Sequence, residues 1–107
     1  MSTEPADLQL EGFCEFLTVE KNVSPRTLSN YQHALRAFRA WTGDHSSPWE
    51  SFEPDVFRSY LFGCMKQELA RSTIRLHFSA LRSFYRYLVS RHGLPKSPVA
   101  EIQLPKL

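Results

Sequence analysis

From Arg71 to Arg91 the chain places its apolar residues at Ile74, Phe78, Leu81, Tyr85 and Leu88, spaced four, three, four and three apart. That rhythm matches the 3.6-residue turn of an α-helix and puts all five side chains on one stripe. A helix of this kind gains its stability by burying the stripe against other elements. Gly93 and Pro95 supply its stop.

Three more amphipathic segments offer partners for that stripe. The first runs from about Asp7 to Lys21, with Leu10, Phe13, Phe16 and Leu17 on one face and Glu11 and Glu15 away from it. The second opens at Ser24-Pro25, where serine can cap free amides and proline fits a first helical turn that has no hydrogen bond to lose. Leu28, Tyr31, Leu35 and Phe38 follow at helical spacing, and Gly43 is a natural stop. Asp44 to Phe52 holds His45, Ser46, Ser47 and Pro48 and reads as a loop. The third helix starts near Pro54-Asp55 and is expected to carry Val56, Phe57, Tyr60, Leu61 and Met65 inward.

The expected fold class is therefore all-α, with four helices sharing one core of Leu28, Tyr31, Leu35, Phe38, Tyr60, Leu61, Ile74, Phe78, Leu81 and Leu88. No strand alternation, glycine-rich phosphate loop or heptad run competes with this reading. At 107 residues, 42% hydrophobic and 22% charged, the chain suits one globular module and is too short for an additional catalytic domain of ordinary size. The segments Ser24 to Trp41 and Ala70 to Tyr87 echo each other, Thr27 aligning with Thr73, Arg36 with Arg82 and Phe38 with Phe84. Beyond the fourth helix, Pro95, Pro98 and Pro105 lie close together, the composition of a semi-rigid connector rather than a core element.

Charge distribution says more about function than the net charge of +2 does. Arg71, Arg75, Arg82, Arg86, Arg91 and Lys96 fall in a stretch with no acidic residue. At 100° per residue, Arg71, Ser72, Ser79, Arg82, Arg86 and Ser90 lie within roughly 60° of Arg75, clear of the apolar stripe. Guanidinium forks suit phosphate oxygens and guanine edges, and serine hydroxyls are short enough to bond phosphate from a closely seated helix. A merely solvated face tends to alternate sign and gain pairs four residues apart, whereas this one repels itself. The second helix carries a weaker version, with Arg26, Asn30, His33 and Arg36 off its core stripe and Ser24 and Thr27 at its amino end.

Enzymatic signals are missing. His33, His45, His77 and His92 show no metal-ligand spacing, and His77 falls toward the apolar arc of its helix, where packing accounts for it. No flanked serine or cysteine nucleophile is visible, and no cofactor is expected. Cys14 and Cys64, far apart on helix-like patterns, read as small buried hydrophobes. Most aromatic residues lie at core spacing rather than as a platform for stacking bases. The first twenty residues carry Glu4, Asp7, Glu11, Glu15 and Glu20 and no Lys or Arg, which does not suit a secretory or transit peptide. No apolar run suits a membrane span, so a cytoplasmic setting is expected.

The blocks FCEFLTVEKNVSPRTLSNYQHALRAFRAW, DVFRSYL, STIRLHFSALRSFYRYL and GLPKSPVAEIQLPKL stand in order from Phe13 to Leu107. In that order they resemble the amino-terminal core-binding domain of Xer-type tyrosine recombinases and phage integrases, with the match reaching from about Leu10. The resemblance implies a SAM-like bundle of four helices forming half of a clamp around duplex DNA during recombination or integration, its second and fourth helices nearest the DNA. It divides the chain into a DNA-binding unit, residues 1–93, and a connector, residues 94–107, leading toward a carboxy-terminal catalytic domain. Other recombinase subunits on DNA are implied partners, and the catalytic residues belong to that other domain. Ser24, Thr27, Thr73 and Arg82 match types common in the family, while Ala70 stands where many relatives have serine and Leu76 where they have arginine.

Taken together, Ser24, Arg26, Thr27, Asn30, Arg71, Ser72, Thr73, Arg75, Ser79, Arg82 and Arg86 are the candidate DNA-binding residues. The competing reading is a helical protein-interaction module with no DNA role.

Overall fold

The computed structural model describes residues 7–105. Glu4 of the acidic amino-terminal stretch and Lys106 and Leu107 of the proline-rich tail lie outside them. Four helices follow in order: α1 (Leu8–Val19), α2 (Pro25–Thr42), α3 (Pro54–Lys66) and α4 (Arg71–Arg91), with a single 3₁₀ turn at Trp49–Ser51 between α2 and α3. Among the described residues there is no strand.

Local chemistry explains where the helices begin and end. Asp7 accepts the Leu10 amide at 3.1 Å and caps α1. Ser24 does the same for α2 through the Thr27 amide at 3.1 Å, with Pro25 in the first turn. Gly43, at φ 71°, takes the left-handed conformation that ends α2. α4 closes with the Leu94 amide turning back onto the Leu88 carbonyl at 3.3 Å.

α4 is the axis of the domain. Ile74, His77, Phe78, Ala80, Leu81, Phe84, Tyr85, Tyr87 and Leu88 are all buried along it, and α2 packs more extensively on it than on any other helix. Phe38 of α2 stacks on Phe57 of α3 with centroids 4.9 Å apart. Trp49 sets its edge against Phe84 at 4.8 Å. Leu35, Phe38, Tyr60, Ile74, Phe78, Leu81 and Leu88 are buried as expected, and Leu28, Tyr31 and Leu61 pack half-buried against them.

Four local expectations are corrected. Met65 points outward, because none of the described elements covers that face of α3; it is 47% exposed. The Asp44–Phe52 loop contributes the fully buried Trp49, whose indole donates to Asp7 at 2.8 Å and whose carbonyl accepts the Tyr85 hydroxyl at 2.6 Å. Cys14 is only half-buried, its sulfur accepting from Gln32 at 3.2 Å. The proline-rich tail is not merely a connector: Val99 and Ile102 are buried in the core, seated by a compact turn in which Ile102 donates to the Val99 carbonyl at 3.2 Å.

One close approach constrains α1. A side chain at Gly12 would meet the Tyr87 hydroxyl at 2.8 Å, so glycine lets α1 lie against α4.

Candidate nucleic-acid interface

Because α4 buries so much of its circumference, what it leaves open is narrow. Its exposed residues are Arg71, Ser72, Arg75, Arg86, Val89, Ser90 and Arg91, and all but Arg91 fall on the arc centred near Arg75. Ser79 and Arg82, in the middle of that arc, are half-buried. Thr73 sits about 160° round the helix from Arg75 and is half-buried, so it lies off the stripe.

The charges on this arc have no internal compensation. Among the described residues, no carboxylate lies within ion-pair distance of Arg71, Arg75, Arg82 or Arg86. Arg91 differs. It is held by Glu20, which caps the carboxy end of α1, at 3.0 Å, and this mutual bonding keeps the Glu20 carboxyl below its usual value and the Arg91 guanidinium above its own. Arg91 also lies over the Phe16 ring at 4.9 Å, so it clasps α1 to α4.

The amino end of α4 accentuates the imbalance. Ala70 occupies the cap position without a side-chain hydrogen bond, and the first turn holds no acidic residue. Arg71 therefore adds a full positive charge to the positive end of the helix dipole, an arrangement that an anion relieves.

Arg82 is committed elsewhere. One of its terminal nitrogens donates to the Ile102 carbonyl at 2.8 Å, so the tail passes beside Arg82 in the middle of the stripe.

On α2, Ser24 and Arg26 are exposed at the first turn, and Thr27 and Asn30 are half-buried. The Ser24 hydroxyl is already employed, accepting the Thr27 amide and donating to the Thr27 hydroxyl at 3.0 Å. The two candidate sets thus sit on the two helices that pack against each other, the denser set on α4.

Arg39 is the charged side chain that sequence reasoning did not single out. It is buried, its guanidinium over the Trp49 ring at 4.3 Å, donating to the Asp44 carbonyl at 3.1 Å and 3.6 Å from Asp7. Its position four residues after Leu35 was the available signal, because that spacing places it on the core arc of α2. It is an internal brace and not part of the exposed face.

Among the described residues, no group of His, Cys, Asp and Glu converges as a metal site requires, and no helix is long and apolar enough to cross a membrane.

The family model for the phage integrase N-terminal SAM-like domain matches residues 10–92. Among curated proteins, the chain is 38% identical over 106 residues to the tyrosine recombinase XerC of Pelotomaculum thermopropionicum, covering 94% of this chain and 35% of the relative. It is 36% identical over 101 residues to XerC of Haemophilus ducreyi, covering 94% and 33%. It is 33% identical over 107 residues to XerC of Salmonella typhi, covering 99% and 36%. The chain thus spans about a third of the length of these relatives. No solved structure matches it significantly.

Proposed function

The chain belongs to the phage integrase N-terminal SAM-like domain family, and from that premise we propose that it grips duplex DNA through α4, assisted by the amino end of α2, as the core-binding part of a site-specific tyrosine recombinase. The single observation that carries this reading is the exposed arc of α4: arginine and serine beside Val89, with no carboxylate among the described residues to neutralise it. Burying the rest of the helix leaves this arc as the surface a groove would meet, and uncompensated arginines gain most from phosphate.

In this role Arg71, Arg75 and Arg86 contact phosphates or base edges, Ser72 and Ser79 bond phosphate at short reach, and Arg26 and Asn30 extend the footprint along α2. Strand cleavage and rejoining belong to a catalytic domain that follows the tail, and further recombinase subunits share the DNA. The setting is the cytoplasm, where the DNA substrate lies. The domain itself needs no cofactor for binding.

The test is titration of the chain with duplex DNA at two salt concentrations. Phosphate contacts release counterions, so affinity falls steeply as salt rises. A second reading, docking of a partner helix, is favoured by the exposure of Phe62 and Met65 on the outer face of α3. It calls for binding that is insensitive to salt and to the loss of arginines on α4.

A further inference from the structure

Arg82 lies in line with Arg75 and Arg86 on the arginine arc, yet it is half-buried where they are exposed, because its guanidinium reaches the tail. The tail at that point is an ordered strap. Val99 and Ile102 are seated in the core, the Val99 amide donates to the Ser97 hydroxyl at 3.2 Å, and the Ile102 amide donates to the Val99 carbonyl at 3.2 Å. Among the described residues, the one side-chain hydrogen bond from α4 to this strap is the 2.8 Å contact of Arg82 with the Ile102 carbonyl.

We propose that Arg82 is a positioning residue that joins the arginine face of α4 to the strap, so that duplex binding on that face and ordering of the strap reinforce each other. A guanidinium has five donors in a rigid fork, and the single bond to the Ile102 carbonyl leaves others without a partner among the described residues. A phosphate lying on the arc between Arg75 and Arg86, beside Arg82, takes those free donors and fixes the guanidinium plane, which tightens the bond to Ile102. Linkage makes the effect reciprocal: a strap already held in place presents Arg82 in the orientation the phosphate needs. The position of the strap beside α4 is then tied to the same side chain that senses DNA. This inference rests on the proposed duplex binding by α4.

Hydrogen exchange of the strap amides, measured on the free chain and on the chain saturated with a short duplex, tests both halves. In the unaltered chain, duplex slows exchange at Ile102 and its neighbours by about fivefold, the lower end of ordinary coupling. In Arg82→Ala the free strap exchanges roughly tenfold faster, the equivalent of one lost hydrogen bond, and added duplex no longer protects it. Arg82→Gln keeps a donor for the carbonyl without the charge, so it retains the free-state protection and loses the duplex-dependent part; it also serves if the alanine variant melts. Arg75→Ala binds duplex more weakly but protects the strap once saturated. Equal strap exchange in the unaltered chain and in Arg82→Ala overturns the bridge. So does duplex binding by the unaltered chain that leaves strap exchange unchanged. Failure of the unaltered chain to bind duplex at all overturns the functional reading and the coupling together, a result distinguishable from the other two because the free-state comparison needs no DNA.

Discussion

The Tyr60 hydroxyl and Nδ1 of His77 lie 2.9 Å apart inside the bundle, joining α3 to α4 through a buried polar pair. The groups facing that imidazole are Tyr60, with its ring nearly parallel, and His33 of α2 at 6.3 Å between centroids. Among the described residues no carboxylate offsets the loss of water. Burial, reinforced by the nearby His33, lowers the His77 pKa below its usual 6.5, and burial raises that of Tyr60.

The pH dependence follows from that shift. Below pH 6.5 the unfolded chain takes up a proton at His77 more readily than the folded chain does. Stability from the neutral imidazole is thus complete above pH 6.5 and is lost as pH falls toward the lowered folded-state value. His77→Gln keeps an acceptor for Tyr60 without titrating, so its melting temperature falls less than the parent's between pH 7 and pH 5. Parallel melting curves for the two proteins across that range would remove His77 as the cause.

Asp44 predicts a separate acid transition. Its carboxylate accepts from the Ser47 hydroxyl and from the amides of Ser47 and Ser46 at 2.9 and 3.1 Å, which lowers its pKa from 3.8 to about 2. A depressed carboxylate stabilises above its unfolded value and loses that contribution as pH falls through its folded one. Asp44→Asn should melt earlier than the parent at pH 7, and the difference should shrink between pH 4 and pH 2. A difference independent of pH would place the effect in packing instead.

The missing cap of α4 is repairable. Ala70 has φ −58° and ψ 144°, close to the −66° and 154° of Ser24, which caps α2. A serine there has the backbone geometry to accept the Thr73 amide, as Ser24 accepts that of Thr27. Ala70→Ser is expected to raise stability by about 1 kcal/mol and Ser24→Ala to lower it by a similar amount, read by urea unfolding. No gain from Ala70→Ser would mean that the Thr73 amide is already satisfied by water at no net cost.

How much of this was legible in the sequence depends on whether the signal was local. Ser24, Pro25 and Gly43 bound α2 through contacts within one turn, so its limits could be read directly, as could the helical stripe of α4. Trp49, Val99 and Ile102 gave no such signal. Each sits in an aperiodic stretch among prolines and serines, and is buried by residues distant in sequence, which periodicity cannot reveal. Met65 shows the converse: helical spacing names a face but not whether a neighbour covers it. Within the candidate site, the stripe and its lack of acids were visible, whereas the pairing of Arg91 with Glu20 and of Arg82 with Ile102 required the fold.

The strap carries its own prediction. Ile102 is 4% exposed and Val99 fully buried, so Ile102→Ala removes packed methyl groups from the core. A loss of roughly 2 to 5 kcal/mol is expected, measured by urea unfolding. A change below about 0.5 kcal/mol would return the tail to the role of a connector.

The sharpest prediction concerns Arg75 and Arg86, eleven residues apart on α4 and about 16 Å apart along its axis. Both are exposed, and neither pairs with a carboxylate among the described residues. Removing either should therefore change stability by no more than about 0.5 kcal/mol. Their separation lets each meet a different phosphate, so the two contributions to DNA affinity should be nearly additive. Each alanine substitution should reduce the slope of log affinity against log salt by about 0.9 if it removes one phosphate contact. It should instead cost about 1 to 3 kcal/mol in a sequence-dependent manner if the side chain reads a base edge. Duplex titrations of the two single variants and the double variant at several salt concentrations separate these outcomes. Variants that melt like the parent and bind duplex with the parent's affinity and slope would show that the arginine arc is solvated surface and that α4 is not the binding helix.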